Sequence, residues 1–187
     1  FTRQSDKPGP VICLAHGMPL AGKTLLAEAV SHELQGEAFA EFFFQIDFIA
    51  GSTQDTEFED AIPEELSVTL AERMRKSPRR AFWPLDHLED SAVLAAIIER
   101  FAGCPVYFLV TARNPHLGLK EIFTEENRLY LAPFDAEEAR VLLRSVMPDE
   151  MLFPDAQLQA MMRLVGGNPG ALNTVAHHLA AQPEVNL

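Results

Sequence analysis

Residues 17 to 24 read Gly17-Met18-Pro19-Leu20-Ala21-Gly22-Lys23-Thr24, a full match to G-x-x-x-x-G-K-[ST]. No other stretch restricts the chain as much, because the pattern makes physical sense only between a strand and a helix. Its two glycines let the backbone curl until successive N–H groups face inward as an anion nest, and a helix starting at Lys23 adds the positive end of its dipole. Lys23 can then reach the β- and γ-phosphates of a nucleotide, and the Thr24 hydroxyl can ligate Mg2+. The flanks agree with this reading. Val11-Ile12-Cys13-Leu14-Ala15 is a short β-prone apolar run, and Leu25, Leu26, Ala29, Val30 and Leu34 recur at helical spacing. The expected nucleotide contacts therefore run from Gly17 through Thr24 to Leu25.

The chain has 187 residues and 48% apolar content, enough to bury the core of one α/β domain with a small helical appendage. Fifteen Lys and Arg stand against 27 Asp and Glu, a formal charge of −12, which argues against a nucleic-acid or anionic-membrane surface. No apolar run approaches the roughly 20 residues of a membrane-spanning helix, and Phe1 to Pro8 does not resemble a signal peptide, so a cytoplasmic location is expected. Cys13 and Cys104 are expected to be free, buried thiols. The absence of an initiating Met leads us to expect a piece of a longer protein.

Further along, Phe39 to Phe48 is aromatic and β-prone, a second strand, and Ala61 to Met74 carries Ile62, Leu66, Leu70 and Met74 at helical spacing. Arg73, Arg75, Lys76, Arg79 and Arg80 close that helix. Ala81 to Asp86 is a third strand, followed by a helix with Val93, Leu94, Ile97, Ile98 and Phe101 on one side. Pro105 to Arg113 is the cleanest buried strand, and Leu129-Tyr130-Leu131 a fifth. From Asp135 the pattern is helical only: Asp135 with Glu138 forms a capping box, Asp155 stands where a second cap belongs, and Asn168-Pro169 opens a third helix. Strands alternating with helices predict a parallel sheet, and the final helices a separate bundle. The expected domains are 1–133, nucleotide-binding, and 134–187, a helical lid.

A site for a Mg–nucleotide needs an acid at the end of a neighbouring strand. Asp86 is the candidate, with Glu89 or Asp90 within a turn of it; capping of the next helix is the competing role for Asp86. Pro84 is an awkward residue for a central strand because it lacks a ladder donor, and His87 stands where many such ATPases place a second acid. Asp47 is a lower-ranked rival for the metal. Arg113 ends its strand on the edge where α/β sheets bind ligands, and can sense a γ-phosphate. His16 beside Gly17 is read as packing, and His177-His178 as straddling a buried and an exposed face.

These parts occur in a characteristic order: the GKT loop, a strand ending in Asp86, a strand ending Thr111-Ala112-Arg113, Leu131-Ala132-Pro133-Phe134-Asp135 with Glu137-Glu138-Ala139 and Leu142-Leu143, and the turn Gly166-Gly167-Asn168-Pro169-Gly170-Ala171-Leu172. The chain resembles the STAND class of signal-transducing ATPases, the NB-ARC and NACHT-like relatives of AAA ATPases, from about Val11 to Leu179. The resemblance implies a P-loop NTPase fold of three αβα layers, a five-stranded parallel sheet with the phosphate-loop strand at its centre, and a helical lid. It further implies that Lys23 and Thr24 bind phosphate and Mg2+, that Asp86 supports the metal, that Arg113 senses the γ-phosphate and that Pro169 lies against the adenine. The expected function is an ATP/ADP-held regulatory switch with slow Mg-dependent hydrolysis, since His87 departs from the acid pattern. Self-association, and sensor and effector domains outside this segment, belong to the same implication. A P-loop small-molecule kinase and a protein-interaction module with a degenerate site are the alternatives.

Overall fold

The computed structural model describes residues 9–34, 46–47, 64–77, 80–147 and 154–181. In chain order the elements are β1 (Val11–His16), α1 (Lys23–Leu34), β2 (Ile46–Asp47), α2 (Glu64–Lys76), β3 (Ala81–Asp86), α3 (Ser91–Arg100), β4 (Val106–Ala112), a 3-10 turn (Glu125–Asn127), β5 (Arg128–Tyr130), α4 (Ala136–Val146), α5 (Asp155–Val165) and α6 (Pro169–Ala181). Most of the strand expected over Phe39 to Phe48, the starts of the expected 61–74 helix and Arg79 lie outside the described residues.

The sheet is parallel, in the order β2-β3-β4-β1-β5. Four strands have three residues or more, and β2 contributes two residues beside Leu85 and Asp86. One expectation is corrected: the strand that feeds the glycine loop is not central. β1 lies between β4 and β5, and β4 holds the middle place. Its seven residues are all buried, as a strand covered on both faces requires.

Pro84 does lie within β3, opposite Leu109 of β4. On the other side β2 pairs only from Leu85 onward, so among the described residues the ladder there begins after the proline, which lacks an N–H to contribute. The β3 side chains carry the core. Trp83 meets Phe101 edge-on, ring centroids 5.0 Å apart, and Phe108 at 5.9 Å, an arrangement that aromatic quadrupoles favour. Leu85, Leu94, Ile97 and Val110 pack into the same cluster. At the opposite end of the strands the Arg80 guanidinium lies over the Tyr107 ring, 5.4 Å from its centroid.

By their contacts the residues fall into two compact units. One is Phe1–Gly17 with Lys23–Tyr130, and holds the sheet with α1 to α3; the other is Leu131–Leu187 together with Met18–Gly22, the apex of the glycine loop. Within the second unit Leu143, Leu158, Met161, Leu172, Ala176 and Leu179 form a separate core. Asp135 caps α4, accepting from the N–H groups of Glu137 and Glu138 at 2.9 Å, while Glu138 returns a bond to the Asp135 N–H. Asp155 is not a cap: Pro154 holds that position, and the Asp155 carboxylate instead takes Arg140 at 2.5 Å. His177 and His178 are both exposed rather than straddling two faces. Among the described residues no helix is long and apolar enough to cross a membrane.

Candidate functional site

β1 delivers the chain to Gly17 at the carboxyl edge of the sheet, and α1 begins six residues later. In between, Leu20 has φ 61° and Gly22 φ 92°. Glycine accepts such a backbone freely, leucine at a cost of about 1–2 kcal/mol. A turn closes where the Ala21 N–H donates to the Met18 carbonyl at 3.2 Å. Lys23 is buried, and its Nζ donates to the Gly17 carbonyl at 3.0 Å. The ammonium thus bends back along the loop instead of reaching into solvent. Burial pushes its pKa down; Glu89 and Asp86 oppose that shift, and Arg113 adds to it. Those influences place Lys23, Asp86, Glu89 and Arg113 in one electrostatic neighbourhood at the same sheet edge.

Asp86 ends β3 and is 1% exposed. Its Oδ2 accepts from the Thr24 hydroxyl at 2.7 Å and lies 3.1 Å from His87 Nδ1, while its Oδ1 accepts from the Thr111 hydroxyl. A buried carboxylate persists only with such partners. Asp86 does not cap the following helix; Asp90 does, accepting from the Ala92 N–H at 2.7 Å. Two hard oxygens, a hydroxyl and a carboxylate, fit Mg2+, which takes one or two protein ligands and completes its shell with water and substrate phosphates. Among the described residues no group of three or more His, Cys, Asp or Glu side chains is placed to hold a metal ion.

His87 follows in a left-handed turn, φ 57°, its N–H donating to Thr111 Oγ1 at 3.0 Å. The next N–H, of Leu88, donates to the Thr111 carbonyl at 3.0 Å. Thr111 therefore fixes both the Asp86 carboxylate and the turn after it. Glu89 accepts from the Arg113 backbone N–H at 2.8 Å, with the guanidinium Nε 4.0 Å away. The Arg113 side chain itself is 59% exposed. Asp47 lies opposite Asp86 in register, on the sheet-edge strand β2.

On the other flank of the loop strand, His16 and Tyr130 pair across β1 and β5 with ring centroids 5.3 Å apart. Arg128 packs on His116, its Nη1 2.9 Å and 3.1 Å from the two ring nitrogens. Burial lowers the pKa of His16 from 6.5, and Arg128, His116 and Lys23 push it the same way. Leu25 is 68% exposed on α1; the helix turns inward through Lys23 and Ala27 instead. Cys13 is half-buried and Cys104 buried, both free, and burial raises both thiol pKa values. In the second unit, Asn168 and Gly170 bond the loop carbonyls of Pro19 and Leu20, and Pro169 starts α6.

Sequence reasoning missed two of these side chains. Thr111 is a single hydroxyl at the carboxyl end of an otherwise apolar strand, a signal that was there to be read. Nothing in the sequence pairs Asn168 with Pro19.

The parallel sheet, with its glycine loop and the carboxylate at the end of β3, has a P-loop NTPase-like fold. Three solved structures share it: a chain of the E. coli MS115-1 HORMA:CdnC:Trip13 complex, 17% identical, covering 86% of this chain and 60% of that one at TM-score 0.54; C. elegans PCH-2, 13% identical, 93% and 56%, TM-score 0.59; and a RuvB mutant from Thermotoga maritima, 15% identical, 89% and 54%, TM-score 0.55. At these identities the likeness concerns the fold. The chain spans little more than half the length of these proteins. No protein-family model matches the sequence, and no curated protein does.

Proposed function

We propose that this segment is the ATP-binding switch of a STAND-type signalling ATPase, acting in the cytoplasm with slow Mg-dependent hydrolysis. The observation that carries the reading is the bond from Thr24, beside the buried Lys23, to the Asp86 carboxylate. It joins the start of the loop helix to the end of β3 at one point, where a triphosphate and its metal need a hydroxyl, an ammonium and a carboxylate together.

In this proposal the backbone from Gly17 to Thr24 cradles the phosphates, with Leu25 following, and Lys23 balances their charge. Thr24 and Asp86 would hold Mg2+, which supplies charge neutralisation on the phosphate oxygens. Pro169 lies against the adenine, and Arg113 responds to the γ-phosphate. For turnover, water adds to the γ-phosphorus, the bond to the bridging oxygen of ADP breaks, and Glu89 accepts the proton. Hydrolysis is slow because the Glu89 carboxylate already accepts the Arg113 N–H and His87, not an acid, follows Asp86. The output is a shift of conformational populations between ATP- and ADP-bound forms, with self-association and sensor domains outside the segment.

Calorimetric titration with Mg-ATP and Mg-ADP, for wild type and Lys23→Ala, tests this directly. A loss of affinity of tenfold or more in the variant is expected. Equal ATP binding by the two proteins would sink the proposal.

A further inference from the structure

The apex of the glycine loop is held by side-chain and backbone groups from far along the chain. Asn168 Nδ2 donates to the Pro19 carbonyl at 2.7 Å and lies 3.3 Å from the Met18 sulfur. The Gly170 N–H donates to the Leu20 carbonyl at 3.0 Å. Approach is so close that a Cβ on Gly170 would stand 2.7 Å from Leu20 Cβ and 3.1 Å from Leu20 O, which is why glycine occupies that place. Asn168 has a second duty, since its Oδ1 accepts from the Ala171 N–H at 3.1 Å and so caps α6. The turn is anchored behind as well, by the Phe134 N–H on the Gly167 carbonyl at 2.8 Å.

Leu20, at φ 61°, holds a conformation that leucine does not choose unaided. The two carbonyls that flank its backbone are the ones taken by Asn168 and Gly170. In a trans peptide the C=O and N–H point in opposite directions, so anchoring the Pro19 carbonyl aims the Leu20 N–H toward the other side of the loop, the side an anion occupies in a nest.

We propose that Asn168 and Gly170 are positioning residues for the phosphate loop, and that the turn into α6 sets the loop conformation competent to bind a nucleoside triphosphate. The affinity part rests on the nucleotide reading above; the conformational part does not. Coupling of this kind is reciprocal: a phosphate that prefers the anchored loop strengthens the anchor in return.

Two variants separate the anchor from the cap. Asn168→Asp keeps an oxygen for the Ala171 N–H but has no donor for Pro19, and Asn168→Ser also caps while being too short to reach. Both are expected to keep the far-UV circular dichroism of the nucleotide-free protein and to lower its melting temperature by no more than the roughly 2–4 °C that one hydrogen bond accounts for. Both should weaken binding of fluorescent mant-ATP with Mg2+ about five- to tenfold, the equivalent of one hydrogen bond, and speed amide exchange across residues 18–22. Gly170→Ala should act in the same direction. A merely structural role would show the reverse, a lower melting temperature with affinity unchanged, and would overturn the proposal. So would a defect confined to Asn168→Asp, since charge repulsion then explains it. Should wild type fail to bind mant-ATP, the nucleotide reading falls, and the anchor is judged by exchange at 18–22 alone: no change in Asn168→Ser refutes it.

Discussion

Thr111→Val replaces one buried hydroxyl by a methyl of nearly the same size, which isolates the polar role of this residue. Thr111 is fully buried; its hydroxyl donates to Asp86 and accepts the His87 N–H at 3.0 Å. Losing a hydrogen bond to a charged group costs about 1.5–3 kcal/mol, and an N–H left without its acceptor about 1–3 kcal/mol. Asp86 keeps Thr24 and His87 Nδ1, and the His87 turn is open to solvent on one side, so the expected loss is near the lower half of the sum, about 3 kcal/mol. For a chain of this size that lowers the melting temperature by roughly 6–12 °C. Thr111→Ser is the control: it retains the hydroxyl and loses one methyl, about 1 kcal/mol or roughly 2–4 °C. Differential scanning fluorimetry on both variants measures the contrast. Equal destabilisation by Val and Ser would refute the reasoning, because it would mean that packing rather than hydrogen bonding sets the role of Thr111. The same pair should differ in the Mg2+ dependence of ATP binding, since only Val leaves Asp86 Oδ1 without its hydroxyl partner, the carboxylate then being held through Oδ2 alone.

Three further outcomes are expected. His16 has a folded pKa below its ordinary 6.5, so the unfolded chain binds more protons as pH falls through that value and stability declines on the acid side; His16→Gln should shrink the difference in melting temperature between pH 7.5 and pH 5.5. Gly167→Ala would place a Cβ 2.6 Å from the Phe134 carbonyl at a φ of 67°, and should cost roughly 2–4 kcal/mol, read as loss of cooperative urea unfolding in the helical unit. Asp135→Ala removes the α4 cap and should cost about 1 kcal/mol, while Asp135→Asn retains most of it; urea midpoints distinguish the two.

The parts legible in the sequence were those where chemistry or periodicity is local. The glycine loop announces itself by spacing. β4 reads as a strand because seven successive residues must all be buried, and the α4 cap because Asp135 and Glu138 lie within one turn. What was not legible depends on chain neighbours brought in from afar. Sheet order is a matter of which strands pair, and a list of strands does not tell that β4 rather than β1 is central. The capping role offered to Asp86 fell to Asp90 because Asp86 is drawn to Thr111 and Thr24, partners 25 and 62 positions distant. Leu20 gives no sign of its left-handed backbone, because residue type favours glycine or asparagine there. Its conformation belongs to residues 168 and 170 as much as to the loop. The apolar stripe expected on α1 misjudged Leu25 and Ala29, both exposed, since the inward face begins with the aliphatic stem of Lys23.

The pairing of β1 bears on how the chain is made. Its partners Tyr107 to Ala112 lie roughly a hundred residues later, so at a synthesis rate of about 5–20 residues per second the strand waits on the order of 5–20 s for its first neighbour. Throughout that interval Val11 to Ala15 is an apolar β-prone segment with open edges, the kind of surface that associates with other chains. The wait is longer still for the glycine loop, whose anchor at Asn168 is synthesised after β5. A nascent chain of this protein therefore gains its β1–β4 pairing before its loop is set, and chaperone binding to the β1 segment during synthesis should peak before residue 112 clears the ribosome.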